Sequence, residues 1–255
     1  MQPNPSQDPY GQRNPYGHGP NYAPGMQAGA RPSPELASGV EQFMTRVNAW
    51  MAAGVGLTGL TAFLVAQSPT LVNAIFGTGL FWVAVLAPVI LVFVIASRVQ
   101  KMSPAAATAT FLVYSALNGM SLAFIFFVYS LGTIASVFAI TAVTYGSLAL
   151  WGFATKRDLS GWGRFLFMAL VGLIVSSIAF MFIPGVMGST MYLVYNVIGV
   201  LVFAALTAYD TQKIKQIYLV NGGGGNLAIL GALTLYLDFI NLFMFLLRLF
   251  GGGRD

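Results

Sequence analysis

The sequence predicts an all-α polytopic membrane protein with seven transmembrane helices. Hydrophobic residues make up 57% of the 255 residues and charged residues only 7%, with a mean hydropathy of +0.76. Soluble domains, in contrast, carry about 25% charged residues. Seven apolar stretches also follow one another along the chain, and each is long enough, at about 1.5 Å per residue, to cross a hydrocarbon core of about 30 Å.

A proline-rich segment precedes these stretches. Residues 1–40 hold eight of the twelve prolines, together with Gln, Asn, Gly and Tyr. A segment of this composition cannot bury enough apolar surface to offset the entropy lost on ordering. We therefore predict a disordered Pro/Gly/Tyr-rich tail over residues 1–40 and a seven-helix transmembrane domain over residues 41–251.

Turn-forming sequences separate the predicted spans. QSP at 67–69 and LSGWG at 159–163 are examples of such turns. Ser103 followed by Pro104 predicts a helix N-cap with proline at the first helical position. The predicted spans are 47–66, 79–97, 105–128, 134–154, 165–184, 190–212 and 227–249.

The basic residues predict the orientation of the spans. The links at 67–78, 129–133 and 185–189 contain no charged residue. By the positive-inside rule the alternate, basic links and the N-terminus are cytoplasmic, and an odd number of spans then puts the C-terminus on the external (periplasmic) face. The basic residues of the alternate links are Arg98, Lys101, Lys156, Arg157, Arg164, Lys213 and Lys215.

Several classes of function are excluded by composition. The chain has no cysteine, which excludes disulfides, zinc–thiolate sites, iron–sulfur clusters and thiol nucleophiles. Its one histidine, His18, lies in the tail, so this chain alone cannot build a Ser-His-Asp relay or a histidine metal site. The net charge of +5 is scattered over span ends and forms no dense patch. We predict no cofactor, no enzyme activity and no nucleic-acid partner; the predicted partner is the lipid bilayer.

Two acidic residues lie within predicted spans. Asp238 lies in LTLYLDFINLFMFLLRLF and Asp210 in LTAYDTQKIKQIY, and an aspartate at the centre of a span costs roughly 2.5–3.5 kcal/mol on insertion. Helical spacing puts Asp238 on one stripe with Thr234 and Asn241, and puts Asp210 on another with Thr207. Because polar stripes in membrane helices face the bundle interior, the two stripes are expected to be able to meet.

Two carboxylates that meet in a low-dielectric site are expected to titrate as a coupled pair. Asp210 and Asp238 are therefore candidates for a pH sensor and for a weak, transient cation site, with Arg98 as a candidate counter-ion. Asp238 lies deeper than Asp210 in the predicted spans, so contact requires offset, tilted or extended helices. A structural interpretation stays open: Asp210 pairs with Lys213 at the headgroup boundary, and Asp238 is a protonated helix-packing group.

Four segments carry a family resemblance: MSPAAATATFLVYSALNGMSLAFIF, TKRDLSGWGRFLFMALVGLIV, LTAYDTQKIK and ILGALTLYLDFINLFMFLLRLFG. Together they resemble the bacterial branch of the Bax inhibitor-1 family, over about residues 40–251. The resemblance implies two three-helix layers around a central C-terminal helix. It also implies that Asp210 and Asp238 form a hydrogen-bonded pair whose shared titration interconverts closed and open forms, and that Arg98 engages them. Some members carry a glutamate within the second helix, and this chain has none over 79–97.

The function that the resemblance implies is a pH-sensitive calcium leak channel in the bacterial plasma (inner) membrane, with calcium as the permeant ion. Two alternatives remain. One is a non-conducting stress modulator that binds other membrane proteins, such as a membrane-anchored protease. The other is an intramembrane aspartyl protease, but the GxGD motif of that class is absent, because Leu235, Tyr236 and Leu237 precede Asp238.

Overall fold

A computed structural model describes residues 33–183 and 188–251. Within these ranges the chain forms α-helices and two short 3-10 turns, without a strand. Residues 1–32, which make up most of the predicted tail, lie outside the described residues. The helices are α1 (Pro34–Gln67), α2 (Pro69–Phe76), α3 (Leu80–Arg98), α4 (Pro104–Leu122), α5 (Ile125–Val128), α6 (Leu131–Ala154), α7 (Gly163–Phe182), α8 (Ser189–Asn221) and α9 (Gly225–Phe250).

The predicted all-α polytopic fold is confirmed. Six helical segments are long and apolar enough to cross a membrane, and they correspond to α1, α4 with α5, α6, α7, α8 and α9. A shorter apolar segment, Trp82–Ile95 within α3, supplies the seventh span. The unpredicted helix α2 occupies the first uncharged link, at 67–78.

Serine–proline pairs start three of the helices. The Ser103 hydroxyl accepts a hydrogen bond from the Ala106 N–H at 3.2 Å, and Pro104 opens α4, as predicted. Ser33 caps α1 in the same way, ahead of Pro34. Helix α1 therefore begins at Pro34, before the boundary at residue 41 that composition alone predicted.

Helix α8 is longer than the predicted span 190–212. It continues to Asn221 and is about 50 Å long, well beyond the thickness of a hydrocarbon core. The added turns are amphipathic, because Ile214 is buried whereas Lys213 is exposed. The helix ends at Gly222, whose φ of 73° lies in the left-handed region that favours glycine.

Helix α9 is the centre of the bundle. It packs against α1, α4, α6 and α8, and it is the most buried of the candidate spans. Helices α1, α3 and α4 form one layer, and α6, α7 and α8 form the other, as the resemblance implied. Most of the basic residues lie where α3, α6 and α8 end and where α4, α7 and α9 begin. We call this the basic end of the bundle, and the other the opposite end.

A polar cluster around Tyr236 fixes α9 to the first layer. The Tyr236 side chain is fully buried. Its hydroxyl shares a 2.7 Å hydrogen bond with the Thr58 hydroxyl of α1 and accepts another, at 2.8 Å, from the Asn118 amide of α4. Phe111 and Tyr114 pack edge-on against its ring, with centroids 5.8 and 5.6 Å away. The rotation of α9 about its own axis is thereby set close to Asp238.

Candidate aspartate pair and flanking cavities

The structure brings Asp210 and Asp238 together. The two side chains lie within hydrogen-bonding reach of each other and are only 8% and 4% exposed, respectively. Because two adjacent charges in such a site repel strongly, one carboxyl group is expected to keep a proton and donate it to the other. The sequence-based prediction that the two polar stripes meet is therefore in agreement with the geometry.

The length of α8 explains how residues of unequal predicted depth meet. Asp210 lies eleven residues before the end of α8, and Asp238 lies thirteen residues after the start of α9. At 1.5 Å per residue these positions are about 16 and 20 Å from the connection between the two helices. The extension of α8 to Asn221 therefore brings both carboxylates to nearly the same level.

A cavity at the basic end reaches Asp210. It has a volume of about 230 Å³, and Asp210, Lys213, Gly231 and Thr234 contribute to its lining. Lys213 is exposed, and its ammonium group interacts electrostatically with Asp210. A negative charge on the pair is therefore best placed on Asp210, next to this cation and to the cavity.

Asp238 has a more apolar environment. Within the described residues its Oδ2 atom is buried without a hydrogen-bond partner. The nearby Tyr145 interacts electrostatically with Asp238, and the Tyr145 hydroxyl lies 3.5 Å from the Asn48 side-chain oxygen. A buried carboxylate oxygen without a donor is costly when ionised, so Asp238 is the better site for the shared proton.

The structure does not bring Arg98 to the pair. Arg98 is exposed at the end of α3, and the cation that acts on Asp210 is Lys213. The reason is depth: the Asn226 amide at the start of α9 donates to the carbonyl of Val99, next to Arg98, and Asp238 lies twelve residues further along α9, about 18 Å.

The three predicted supporting residues hydrogen-bond within their own helices. Thr207 donates to the Phe203 carbonyl at 2.8 Å, Thr234 to the Leu230 carbonyl at 3.1 Å, and the Asn241 amide to the Leu237 carbonyl at 2.8 Å. Thr207 is fully buried, whereas Thr234 and Asn241 line cavities. The three side chains therefore hydrogen-bond with backbone carbonyls of their own helices and not with the two carboxylates.

A larger cavity lies on the other side of the pair. Its volume is about 860 Å³, and it is bounded by α3, α4, α7, α8 and α9. Asn118, Leu237, Asn241 and Arg248 contribute to its lining. We call it the opposite-end cavity. Along α9, Thr234 of the basic-end cavity and Asn241 of the opposite-end cavity are seven residues apart, about 10 Å, with Asp238 between them.

Sequence reasoning missed Tyr145 and Asn48. Both line a third cavity of about 580 Å³ between α1 and α6, which Glu41 and Thr211 also line. The available signal was a lone tyrosine in the apolar stretch ITAVTYGSLAL of α6, and a tyrosine of that kind usually has a packing role.

The family model for the inhibitor of apoptosis-promoting Bax1 matches residues 40–255. The chain belongs to the Bax inhibitor-1 family. It is 42% identical to the inner membrane protein YbhL of Escherichia coli K12, over 85% of this chain and 94% of that protein. It is also 40% identical to an uncharacterized protein of Deinococcus radiodurans, over 90% of this chain and 98% of the relative. An uncharacterized membrane protein of Streptococcus pyogenes serotype M1 is 38% identical over 84% and 93% of the two chains.

Family membership and the membrane-spanning helices together identify a multi-pass bacterial inner-membrane protein. The aspartate pair of this Bax inhibitor-1 family member lies where the central helix α9 meets α8.

Proposed function

We propose that this protein is a pH-gated cation leak, with calcium as the permeant ion. One observation carries the proposal: two buried carboxylates touch each other between a cavity at the basic end and a larger cavity that extends toward the opposite end. Ionisable groups inside a membrane protein commonly mark an ion or proton pathway. The pair is the gate in this proposal, and the two cavities are its vestibules.

The gating step is a change in the proton content of the pair. With one shared proton, Asp210 and Asp238 hold α8 against α9 by a hydrogen bond. Loss of that proton leaves two negative charges in contact in a low-dielectric site, and their repulsion favours either helix separation or the entry of a cation.

Calcium suits a transient site of this kind. Calcium takes six to eight oxygen ligands, and within residues 33–183 and 188–251 no three His, Cys, Asp or Glu side chains come together as a metal site. Two carboxylates, with Asn241, backbone carbonyls and water, would bind the ion weakly. Weak binding is what conduction requires, because a permeant ion must also leave. We propose no resident cofactor.

The test is calcium flux into liposomes that contain a calcium-sensitive dye, measured over about pH 5 to 8, the range in which a buried carboxylate pair titrates. Flux through the unaltered protein should change with pH. Asp238→Asn removes the coupled titration and should give a flux that does not depend on pH. If that variant keeps the original pH dependence, the proposal is wrong.

Asp158→Asn is the matched control. Asp158 lies in the loop before α7, where hydrogen bonds from the backbone N–H and hydroxyl of Ser160 lower the pKa of its carboxyl group. It is therefore ionised throughout the assay range, and replacing it should leave the pH profile unchanged. A profile lost in both variants would point to general damage.

A protease is the second candidate, because paired carboxylates can also activate a water molecule. The contact between Asp210 and Asp238 favours this function as well as the first. Two observations argue against a protease: the GxGD motif of that class is absent, and the Asp238 side chain is only 4% exposed. Incubation of the purified protein with membrane-spanning substrate peptides should give no cleavage, since we propose that the protein is not an enzyme.

A non-conducting role in stress response, through binding to a membrane-anchored protease or another membrane protein, stays a prediction. The segment to be removed in a test of this role is the N-terminal tail, most of which lies outside the described residues. Affinity capture with the full chain and with a chain lacking residues 1–32, beside the flux assay, separates this role from conduction.

A further inference from the structure

The opposite-end cavity has a lateral opening between two helices of different layers. Helix α3 packs on α4, and α7 packs on α8. Val89 and Phe93 of α3 and Ile174 of α7 line the cavity, and their side chains are 51%, 69% and 51% exposed, respectively. Apolar side chains at this depth of a membrane protein contact lipid chains, so the gap between α3 and α7 gives acyl chains access to the cavity.

The length of the cavity matches one leaflet of a bilayer. Its lining on α9 runs from Leu237 to Arg248, which is about 16 Å of helix. Half of a hydrocarbon core of about 30 Å is about 15 Å. Its volume of about 860 Å³ is within the usual range for a pocket that holds a small amphiphilic ligand.

One cation, Arg248, lines this cavity near the opposite end of the bundle. Arg248 lines the cavity and lies near Tyr129, whose hydroxyl hydrogen-bonds with the hydroxyl of Tyr192. The guanidinium group also lies over the Phe245 ring, 5.6 Å from its centroid. The Tyr192 hydroxyl donates to the Arg248 carbonyl at 3.4 Å, so the Tyr129 hydroxyl donates to Tyr192. The donors open to a phosphate group are therefore those of the Arg248 guanidinium.

Arg248 has no acidic neighbour in the part of the chain that the structure describes. The acidic residue on the same helix, Asp238, is ten residues away, about 15 Å along the axis. The other four described acids, Glu35, Glu41, Asp158 and Asp210, belong to α1, to the loop before α7 and to the basic half of α8. Within residues 33–183 and 188–251, the charge of Arg248 is therefore not paired with an acidic side chain.

We propose that the opposite-end cavity is a binding site for one anionic phospholipid. The phosphate contacts the guanidinium group of Arg248, and one acyl chain passes between α3 and α7 toward Leu237. A chain in this position fills the vestibule on that side of the aspartate pair, so the bound lipid competes with ion passage. Only this last consequence rests on the proposed function; the binding itself does not.

The test is native mass spectrometry of the full chain, purified in detergent and titrated with dioleoyl phosphatidylglycerol or with the zwitterionic phosphatidylcholine of the same chains. The unaltered protein should bind one phosphatidylglycerol in preference to phosphatidylcholine. Arg248→Gln should weaken phosphatidylglycerol binding by about tenfold, the equivalent of one charge-assisted hydrogen bond. Arg248→Lys should keep the preference for the anionic lipid, because it keeps the charge.

Two further variants separate the cavity from the outer surface of the protein. Val89→Trp places a large ring in the gap between α3 and α7 and should reduce lipid binding as strongly as Arg248→Gln does. Arg164→Gln removes a cation at the basic end and should leave the single tight binding event unchanged. Circular dichroism and unfolding temperature confirm that each variant is folded.

Three outcomes would overturn the proposal. Equal phosphatidylglycerol binding by the unaltered protein and Arg248→Gln would show that Arg248 does not bind the headgroup. Full binding by Val89→Trp places the lipid on the outer surface. Displacement of the lipid by glycerophosphate or inorganic phosphate at similar concentration shows that the acyl chain contributes nothing. None of these measurements involves flux, so a failure here is distinct from a failure of the proposed leak.

Discussion

At the scale of single residues, the environment of the aspartate pair is asymmetric. Asp210 has a cation and a cavity beside it, whereas Asp238 has a buried oxygen without a donor and the aromatic neighbour Tyr145. The two aspartates, although chemically identical, therefore have different roles within the pair. We therefore expect Asp210 to carry the charge of the pair and Asp238 to hold its proton.

Lys213 is expected to tune the pH at which the pair loses its shared proton. In Lys213→Gln the negative form of Asp210 loses a favourable interaction, so the midpoint of the flux–pH profile should move to higher pH. The shift should be at most about 0.7 pH unit, because an exposed pair contributes up to about 1 kcal/mol.

Lys215→Gln is the control for that measurement. The Lys215 ammonium group donates to the Phe153 carbonyl at 3.0 Å and lies over the Phe153 ring, so its charge is engaged with α6. Its replacement should leave the midpoint in place. Equal shifts in both variants would mean that the effect comes from net charge and not from the neighbour of Asp210.

Tyr236 is expected to contribute strongly to stability. Tyr236→Phe removes the hydroxyl that Thr58 and Asn118 use; Thr58 keeps its hydrogen bond to the Ser115 carbonyl, but the Asn118 amide loses its acceptor. The cost should be about 1–3 kcal/mol of unfolding free energy, measured by thermal or denaturant unfolding in detergent. Tyr192→Phe, at a half-exposed position, should change stability by less than about 0.5 kcal/mol. A similar loss in both variants would contradict the buried-cluster explanation.

At the scale of helices, a close approach between α6 and α8 depends on one glycine. A Cβ atom at Gly152 would collide with the backbone of Ala208, whereas Gly146 on the same helix faces open space. Gly152→Ala should therefore lower the unfolding free energy by about 1–3 kcal/mol. Gly146→Ala should be neutral or stabilising by up to about 1 kcal/mol, because alanine favours a helix.

Unfolding in detergent, with the two alanine variants side by side, checks this prediction. If Gly152→Ala proves as stable as Gly146→Ala, the contact between α6 and α8 is not as tight as the structure has it. Both variants introduce the same methyl group on the same helix, so their difference isolates the contact with Ala208.

The helices also show what the sequence can and cannot predict. Hydropathy locates all seven spans, and spacing puts Asp210 and Asp238 on inward stripes. Hydropathy misses the last turns of α8, because Gln212, Lys213 and Lys215 end the apolar stretch although the helix continues beyond the hydrocarbon region. Spacing along a helix also says nothing about lateral neighbours, so Tyr145 is not predicted at the pair. Arg98 is predicted there from the resemblance, but it lies near the start of α9, about 18 Å from Asp238 along that helix.

At the scale of the whole molecule, the orientation in the membrane stays a prediction from the basic links. The chain contains no cysteine, so single cysteines can report on it. Gly132 and Gly161 are exposed at opposite ends of the bundle, and a side chain fits at both. In intact cells a membrane-impermeant maleimide should label Gly132→Cys but not Gly161→Cys, which should react only after permeabilisation. The reverse pattern would invert the orientation.

In the proposed function, the small cavity beside Asp210 determines the compartment whose pH acts on the pair. It is a cavity of the basic end and Asp210 lines it, whereas neither aspartate lines the opposite-end cavity. Protons should therefore equilibrate with the pair from the basic side, which the positive-inside rule assigns to the cytoplasm. We expect the proposed leak to respond to the pH of the cytoplasm and not to the pH of the medium outside the cell.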